Sequence, residues 1–426
     1  MRLNTSRTCS RRAVVSFARL LVLFLVFPVG SSTAEQVSGW EWDGVPRIVA
    51  MGDVHGHLDK LTAILQGTGV IDSKLKWSGG TDHVVLCGDL VDRGPDDREL
   101  LDLVQRLQKE AEKQGGRVHA LTGNHDLMNL MRDFRFVSAE SYRDFAEDER
   151  SEDRKAAWDV FREFTEGIPE DQMMAAFDEQ FPPGYFAHQQ AFGGEGKYGS
   201  WLAKQPIIVK INGIVFLHGG LTPEVAALGL DEINRQFHES IRLVFDSIKV
   251  IAPVVAGVPT YPNLAGSALY VVQNEAKVEE GDPQRQPLPE KLVAASQMFL
   301  EQTQKIPYQV DGPLWYRGNS LKTEGEEGTR FDQVLELLDA RAIMVGHTST
   351  PTGRVTTRFG GRLYRGDVGM GSGRPPRAVV FRDGGAIVYD PATNTYSPPQ
   401  VERLEGTGSL AGDVDASTQP SGAAQD

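Results

Sequence analysis

Three short polar blocks, each closing an apolar run, constrain this chain more than any other feature. They are Gly52-Asp53-Val54-His55-Gly56, Gly88-Asp89-Leu90-Val91-Asp92-Arg93-Gly94 and Gly123-Asn124-His125-Asp126. The runs before them, Arg47 to Met51, His83 to Cys87 and Val118 to Leu121, are short and apolar, and read as buried strands. Between the blocks, Leu58, Leu61, Ile64 and Leu65 recur at helical spacing, as do Leu100, Leu101, Leu103, Val104 and Leu107. Strand, loop and helix in repetition predict an α/β fold with its site at the carboxyl ends of the strands. One Gly-Asp turn after a strand is commonplace. Three such blocks in order, each setting Asp, Asn or His on a strand end, predict a ligand-bearing rim.

Two later histidines continue the pattern. Ile207 to Leu217 holds Asn212-Gly213 between apolar runs, a hairpin signal, and its second strand delivers His218-Gly219-Gly220. Ala342 to Val345 is another buried run, delivering Gly346-His347. Leu363-Tyr364-Arg365, Ala378 to Phe381 and Ala386 to Tyr389 complete the strands, with Asp383-Gly384-Gly385 as the last turn.

Residues 128–200 differ from the rest, being rich in charge. They carry Trp158, Phe161 and Phe164, then Met173, Phe177 and Phe181 spaced four apart. This predicts a helical insertion whose aromatics pack as core, against the competing reading of a substrate-facing wall. Residues 221–326 read as mixed helix and loop. Beyond about Pro398 the chain turns to Gly, Ser, Ala, Asp and Gln, and 398–426 is expected to be a disordered tail. The catalytic domain is then 35–397.

The first 34 residues form a separate element. Arg2, Arg7, Arg11 and Arg12 precede an apolar stretch from Ala13 to Val29, followed by Ser32-Thr33-Ala34. This is the pattern of a cleaved secretory signal and implies export to a periplasm or beyond. Arg11-Arg12 leaves a twin-arginine route open. The competing reading is an uncleaved anchor helix, but the run is short for a span and Arg19 interrupts it. Cleavage would remove five Arg and no acid, taking the net charge from −14 to −19. So negative a chain disfavours nucleic acid or an anionic membrane as a general partner. Cys87 would remain as a lone thiol in an apolar run, expected in the core.

Asp53, His55, Asp89, Asn124, His218 and His347 mix carboxylate, imidazole and amide oxygen. Such a set suits two Mn, Fe or Zn ions better than Ca, with Mn the first expectation. Two metals about 3.5–4 Å apart share a hydroxide and hold phosphate oxygens, which is what phosphate-ester hydrolysis at neutral pH needs. Asp92, Arg93 and His125 are left over for the phosphate and the leaving group.

The order of the three blocks, the His-Gly-Gly and the later Gly-His resembles the phosphoprotein phosphatase branch of the calcineurin-like metallophosphoesterases. Leu121 to Leu130, Tyr198-Gly199-Ser200-Trp201-Leu202 before Pro206 to Lys210, and Gly312-Pro313-Leu314-Trp315-Tyr316-Arg317-Gly318 narrow it. Together they resemble the Shewanella-like protein phosphatases. The resemblance implies a β-sandwich flanked by helices (α/β/β/α), with helical insertions. It implies that Asp53, His55 and Asp89 bind one metal, and that Asp89, Asn124, His218 and His347 bind the other, with Asp89 bridging. It implies an acid dyad in which His125 protonates the leaving group and Asp92 orients it. Arg93, Asn124 and Arg317 would hold the phosphate, the planar guanidinium fork matching its oxygens. One departure is Asp126, where most of the group carry Glu.

Three functions follow for comparison. The first is hydrolysis of phosphate monoesters on phosphoproteins, at Ser/Thr or Tyr. The second keeps the dinuclear chemistry and takes a small phosphoester or diadenosine tetraphosphate. The third is a dead binding module, which the intact Asp92, Arg93 and His125 disfavour.

Overall fold

A computed structural model describes residues 39–404, apart from 166, 256–262 and 283. The proposed leader and most of the proposed tail lie outside the described residues. The strands are β1 Glu41–Trp42, β2 Arg47–Met51, β3 His83–Leu86, β4 Arg117–Ala120, β5 Ile208–Ile211, β6 Ile214–Leu217 and β7 Ala342–Val345. They continue with β8 Thr356–Arg358, β9 Leu363–Arg365, β10 Ala378–Arg382, β11 Gly385–Asp390, β12 Thr395–Ser397 and β13 Gln400–Val401. They form a six-stranded sheet, β12-β11-β10-β2-β3-β4, and a seven-stranded one, β1-β5-β6-β7-β9-β8-β13.

The three block-bearing strands lie side by side. β2 pairs parallel with β3 and β3 with β4, so their carboxyl ends share one edge. Helices Leu58–Gly67 and Asp97–Glu112 follow β2 and β3 as the crossover connections that parallel strands require. They bury Leu61, Ile64 and Leu65, and Leu100, Leu101, Leu103, Val104 and Leu107, as their spacing predicts. The two sheets meet through Phe216 of β6 and Phe381 of β10, whose rings lie 5.8 Å apart, edge to face. The second sheet places β7 parallel to β6, bringing His218 and His347 to the same edge of that sheet. A two-sheet sandwich with flanking helices is thus the architecture expected.

Both hairpins turn where the sequence marks them. Asn212 and Gly213 have φ of 51° and 71°, and Asp383 and Gly384 have 51° and 75°. Positive φ at both central residues gives the twist that flanking strands need. Gly385 belongs to β11 rather than to the turn.

Residues 128–200 are helical, with helices at Ala139–Arg143, Ser151–Phe164, Glu170–Gln180 and Tyr185–Ala191. Phe161, Phe177, Phe181 and Phe186 bury themselves in a cluster separate from the main core. At about 1.5–3 kcal/mol per buried Phe, the insertion gains much of its stabilisation from its own core. Phe161, Phe177 and Phe181 therefore read as core, not as a wall.

The expected disordered tail from 398 needs correction at its start. Gln400 and Val401 pair parallel with Thr356 and Thr357, and Glu402 reaches a buried arginine. A two-residue edge strand has too little apolar pattern to be seen in a polar sequence.

Candidate metal and phosphate site

The blocks converge because their loops are stitched to one another. Asp89 O accepts from the N–H groups of Val54 (3.1 Å) and His55 (2.9 Å), and Leu90 O from Gly56 N–H at 2.8 Å. Asp126, the departure from the usual Glu, still spans two blocks. Its Oδ1 accepts from Leu90 N–H at 3.0 Å and its Oδ2 from Gly123 N–H at 2.8 Å. Two glycines are fixed by contact. A Cβ at Gly88, where φ is +87°, would lie 2.6 Å from Gly123 Cα. One at Gly219 would lie 2.8 Å from Pro313 O, so the His-Gly-Gly turn seats against the segment leading to Arg317.

Backbone strain gathers at the site. His55, Asp89, Asp92, Arg93 and His347 all have positive φ, between 49° and 71°. Such conformations cost about 1–3 kcal/mol each in non-glycine residues and persist where the surroundings over-determine them.

Asp89 is the centre. His55 Nε2 lies 3.6 Å and His218 Nε2 3.3 Å from its Oδ2. Candidate ligand atoms of His55, Asp89 and His125 lie within 4.8 Å of one another, and so do those of Asp89, His218 and His347. Asp89 is common to both groups, as a bridging carboxylate would be. Asp53 closes the rim 4.0 Å from both His55 Nε2 and His218 Nδ1, and accepts from His347 N–H at 2.9 Å.

The outer nitrogens of the three candidate histidine ligands are anchored. His55 Nδ1 and His218 Nδ1 donate to the carbonyls of Val91 (2.9 Å) and Cys87 (2.8 Å). His347 Nε2 donates to Trp315 O at 3.1 Å. Carbonyl anchoring fixes each tautomer and leaves the other nitrogen's lone pair facing inward, as metal ligation requires. His218 Nε2 then lies 2.8 Å from Asn124 Oδ1. Two acceptors so close need a proton or a cation between them. The buried Asn124 Nδ2 has no partner among the described residues. This close pair and the orphaned amide beside it fit divalent ions with an oxyanion alongside.

The electrostatics agree. Burial, and then the facing carboxylate of Asp367, push Asp53 well above the ordinary carboxylate range. Burial holds His55 and His347 well below the usual imidazole range, keeping both neutral. Burial also opposes the charged form of His218, but Asp89 and Asp53 outweigh it and hold its pKa up at about 9. A cluster of carboxylates that draws a proton onto His218 is one that a metal cation would satisfy.

Beside this cluster, His125 Nδ1 donates to Asp92 Oδ2 at 2.7 Å, and His125 N–H to Asp89 Oδ1 at 2.9 Å. Arg93 Nη2 lies 3.1 Å from His125 Nε2. Arg317 Nη1 donates to His347 O at 2.6 Å and Thr348 Oγ1 at 3.2 Å, on the rim's other side. All ten residues singled out by sequence are therefore gathered here. His57 and His83 are not among them; His83 pairs with His119 in the first sheet. Cys87 is buried, and only its carbonyl serves the site.

Sequence reasoning missed three neighbours. Asn129 Nδ2 donates to Asp92 Oδ1 at 2.8 Å, one helical turn after His125; that spacing was its only signal. Asp97 Oδ2 accepts from Ser141 Oγ at 2.6 Å and Asp92 N–H at 3.3 Å, tying the insertion to the dyad. Phe136 packs its ring 4.8 Å from that of His125, under the Arg93 guanidinium.

Two groups of possible metal ligands sharing one carboxylate, an Asp-His pair and two arginines make a candidate metal and phosphate site on a two-sheet sandwich. A family profile described as calcineurin-like phosphoesterase matches residues 46–252. Shewanella-like protein phosphatase 2 of Arabidopsis thaliana is 30% identical over 52% of this chain and 59% of its own length. Shewanella-like protein phosphatase 1 of Plasmodium berghei is 23% identical over 80% of this chain and 71% of its own. The solved cold-active protein-tyrosine phosphatase of a psychrophilic Shewanella superposes with a TM-score of 0.55 at 23% identity, covering 86% of this chain and 83% of that one. Residues 46–252 thus match the calcineurin-like phosphoesterase profile, and the chain is similar to the Shewanella-like protein phosphatases.

Proposed function

We propose that this protein is a metal-dependent phosphatase that hydrolyses phosphate monoesters on phosphoproteins. One observation carries the reading: His125 bonds Asp92 through its ring and Asp89 through its backbone. The acid pair and the central carboxylate are thus one rigid unit.

Asp53, His55 and Asp89 would hold one divalent ion, and Asp89, Asn124, His218 and His347 the other. Once bound, the ions neutralise phosphate oxygens and acidify the attacking water. Arg93, Arg317 and the Asn124 amide grip the remaining oxygens. Substrate phosphate draws Arg93 away from His125 Nε2, which then takes up a proton from water and passes it to the leaving oxygen while Asp92 holds the ring. Fixed donors aimed at the phosphoryl oxygens stabilise charge through the transfer. The protein phosphatase names of the plant and Plasmodium relatives support a phosphoprotein substrate.

The test is a panel with Mn-loaded protein: phosphoserine, phosphothreonine and phosphotyrosine peptides, and diadenosine tetraphosphate. Higher kcat/KM on at least one peptide is expected. Preference for the dinucleotide would overturn the phosphoprotein reading. We also propose export through the basic and apolar leader of residues 1–34. A periplasmic product beginning near Glu35 is expected; full-length protein confined to the cytoplasm would contradict it.

A further inference from the structure

Arg365 on β9 is only 1% exposed, as is Arg358 on β8. Two buried guanidinium groups on paired strands are costly unless a counter-charge is supplied. Burial, then the field of Arg365, brings Arg358 down to about 10, and Glu402 acts in the opposite sense. Glu402 Oε2 accepts from Arg365 Nη1 at 2.6 Å and from Thr356 Oγ1 at 2.7 Å. Its backbone is fixed as well: Gln400 N–H donates to Val355 O at 3.0 Å and Glu402 N–H to Thr357 O at 2.9 Å.

The other arm of Arg365 points to the site. Its Nη2 donates to Ser349 O at 3.3 Å and Thr348 O at 3.4 Å. Those residues follow His347, whose carbonyl and Thr348 hydroxyl accept from Arg317. Two arginines therefore clamp the His347 loop, Arg317 from the phosphate side and Arg365 from beneath. Arg317 is drawn on by substrate phosphate. Arg365 has no such competing task, and Glu402 is what holds it in place.

We propose that Glu402 is a positioning residue of the metal site, holding His347 in ligating geometry through Arg365. The inference rests on the dinuclear reading above. It gives the segment after β12 a role: the β13 strap carries the carboxylate that completes a support beneath the loop.

The test is calorimetric titration of Mn(II) into metal-free full-length protein, wild type against E402Q, which keeps size and loses charge. Outer partners of metal ligands typically change affinity about 10–100-fold. E402Q is expected to need about tenfold more Mn for half-saturation of its weaker site. A core variant with matched loss of Tm, V334A in the helix Glu324–Leu337, is expected to titrate like wild type. Should E402Q not fold, E402Q/R365M removes both charges without stranding a cation and is expected to show the same loosened binding. Wild-type affinity in the folded E402Q or double variant would overturn the inference while leaving the metal reading intact. No Mn binding by the wild type would overturn both.

Discussion

His125 Nδ1 and Asp92 Oδ2 lie 2.7 Å apart, both side chains essentially sealed from water. Asn129 holds the opposite oxygen of Asp92, so the carboxylate cannot rotate away from the imidazole. Ring orientation is thus decided before any substrate arrives.

Asp92→Asn should break that orientation while leaving the metal ligands in place. A loss of about 10²–10⁴ in kcat on an aryl phosphate is expected, with Mn content unchanged by elemental analysis. Full turnover in Asp92→Asn and also in His125→Ala would remove the dyad from the mechanism.

Arg93→Lys keeps charge and loses the planar fork. A fall of about tenfold or more in kcat/KM is expected, with Tm near wild type, because the role proposed for Arg93 is to grip phosphate rather than to hold the fold. Inorganic phosphate should inhibit the variant more weakly in proportion; equal inhibition would place Arg93 off the phosphate.

Asp126→Ala strands the buried amides of Leu90 and Gly123. Each costs about 1–3 kcal/mol, so chemical denaturation should show a loss on the order of 2–6 kcal/mol. Asp126→Asn retains one acceptor and should lose less. Equal stability of both variants with wild type would show that the bridge between the blocks is dispensable.

His188 sets a pH dependence unrelated to catalysis. It is fully buried among Phe134, Tyr142, Phe145 and Phe192, with neither ring nitrogen hydrogen-bonded to any described residue. Burial lowers its pKa to about 3. Below the unfolded value of about 6.5, the unfolded chain binds a proton that the folded one refuses. Stability is therefore whole above about pH 6.5 and is lost as pH falls toward 3, by roughly 1.4 kcal/mol per unit. His188→Phe should flatten the fall of Tm between pH 6.5 and 4. An unchanged slope would show that His188 is not the titrating group.

What was legible in the sequence follows from how strongly each feature is encoded locally. Asp53, Asp89 and Asn124 sit directly after apolar runs that can only be buried strands, so the rim could be read without coordinates. Asn212-Gly213 declared its hairpin because few other pairs tolerate two positive φ values. The positive φ of His55, Asp92 and His347 had no such marker, since tertiary bonds impose it on residues that do not favour it. Asp97 and Phe136 join the dyad only once the insertion folds back. Glu402 meets Arg365 through a two-residue strand, too short to leave a periodic pattern. Asp126 raised a doubt that packing answers, since the shorter acid reaches both amides.

The account stands or falls on two ions sharing Asp89. An anomalous-difference map from crystals of the Mn-loaded protein tests this directly. Two peaks about 3.5–4 Å apart are predicted, one against Asp53, His55 and Asp89 and one against Asp89, Asn124, His218 and His347. A single peak, or density away from Asp89, would contradict it.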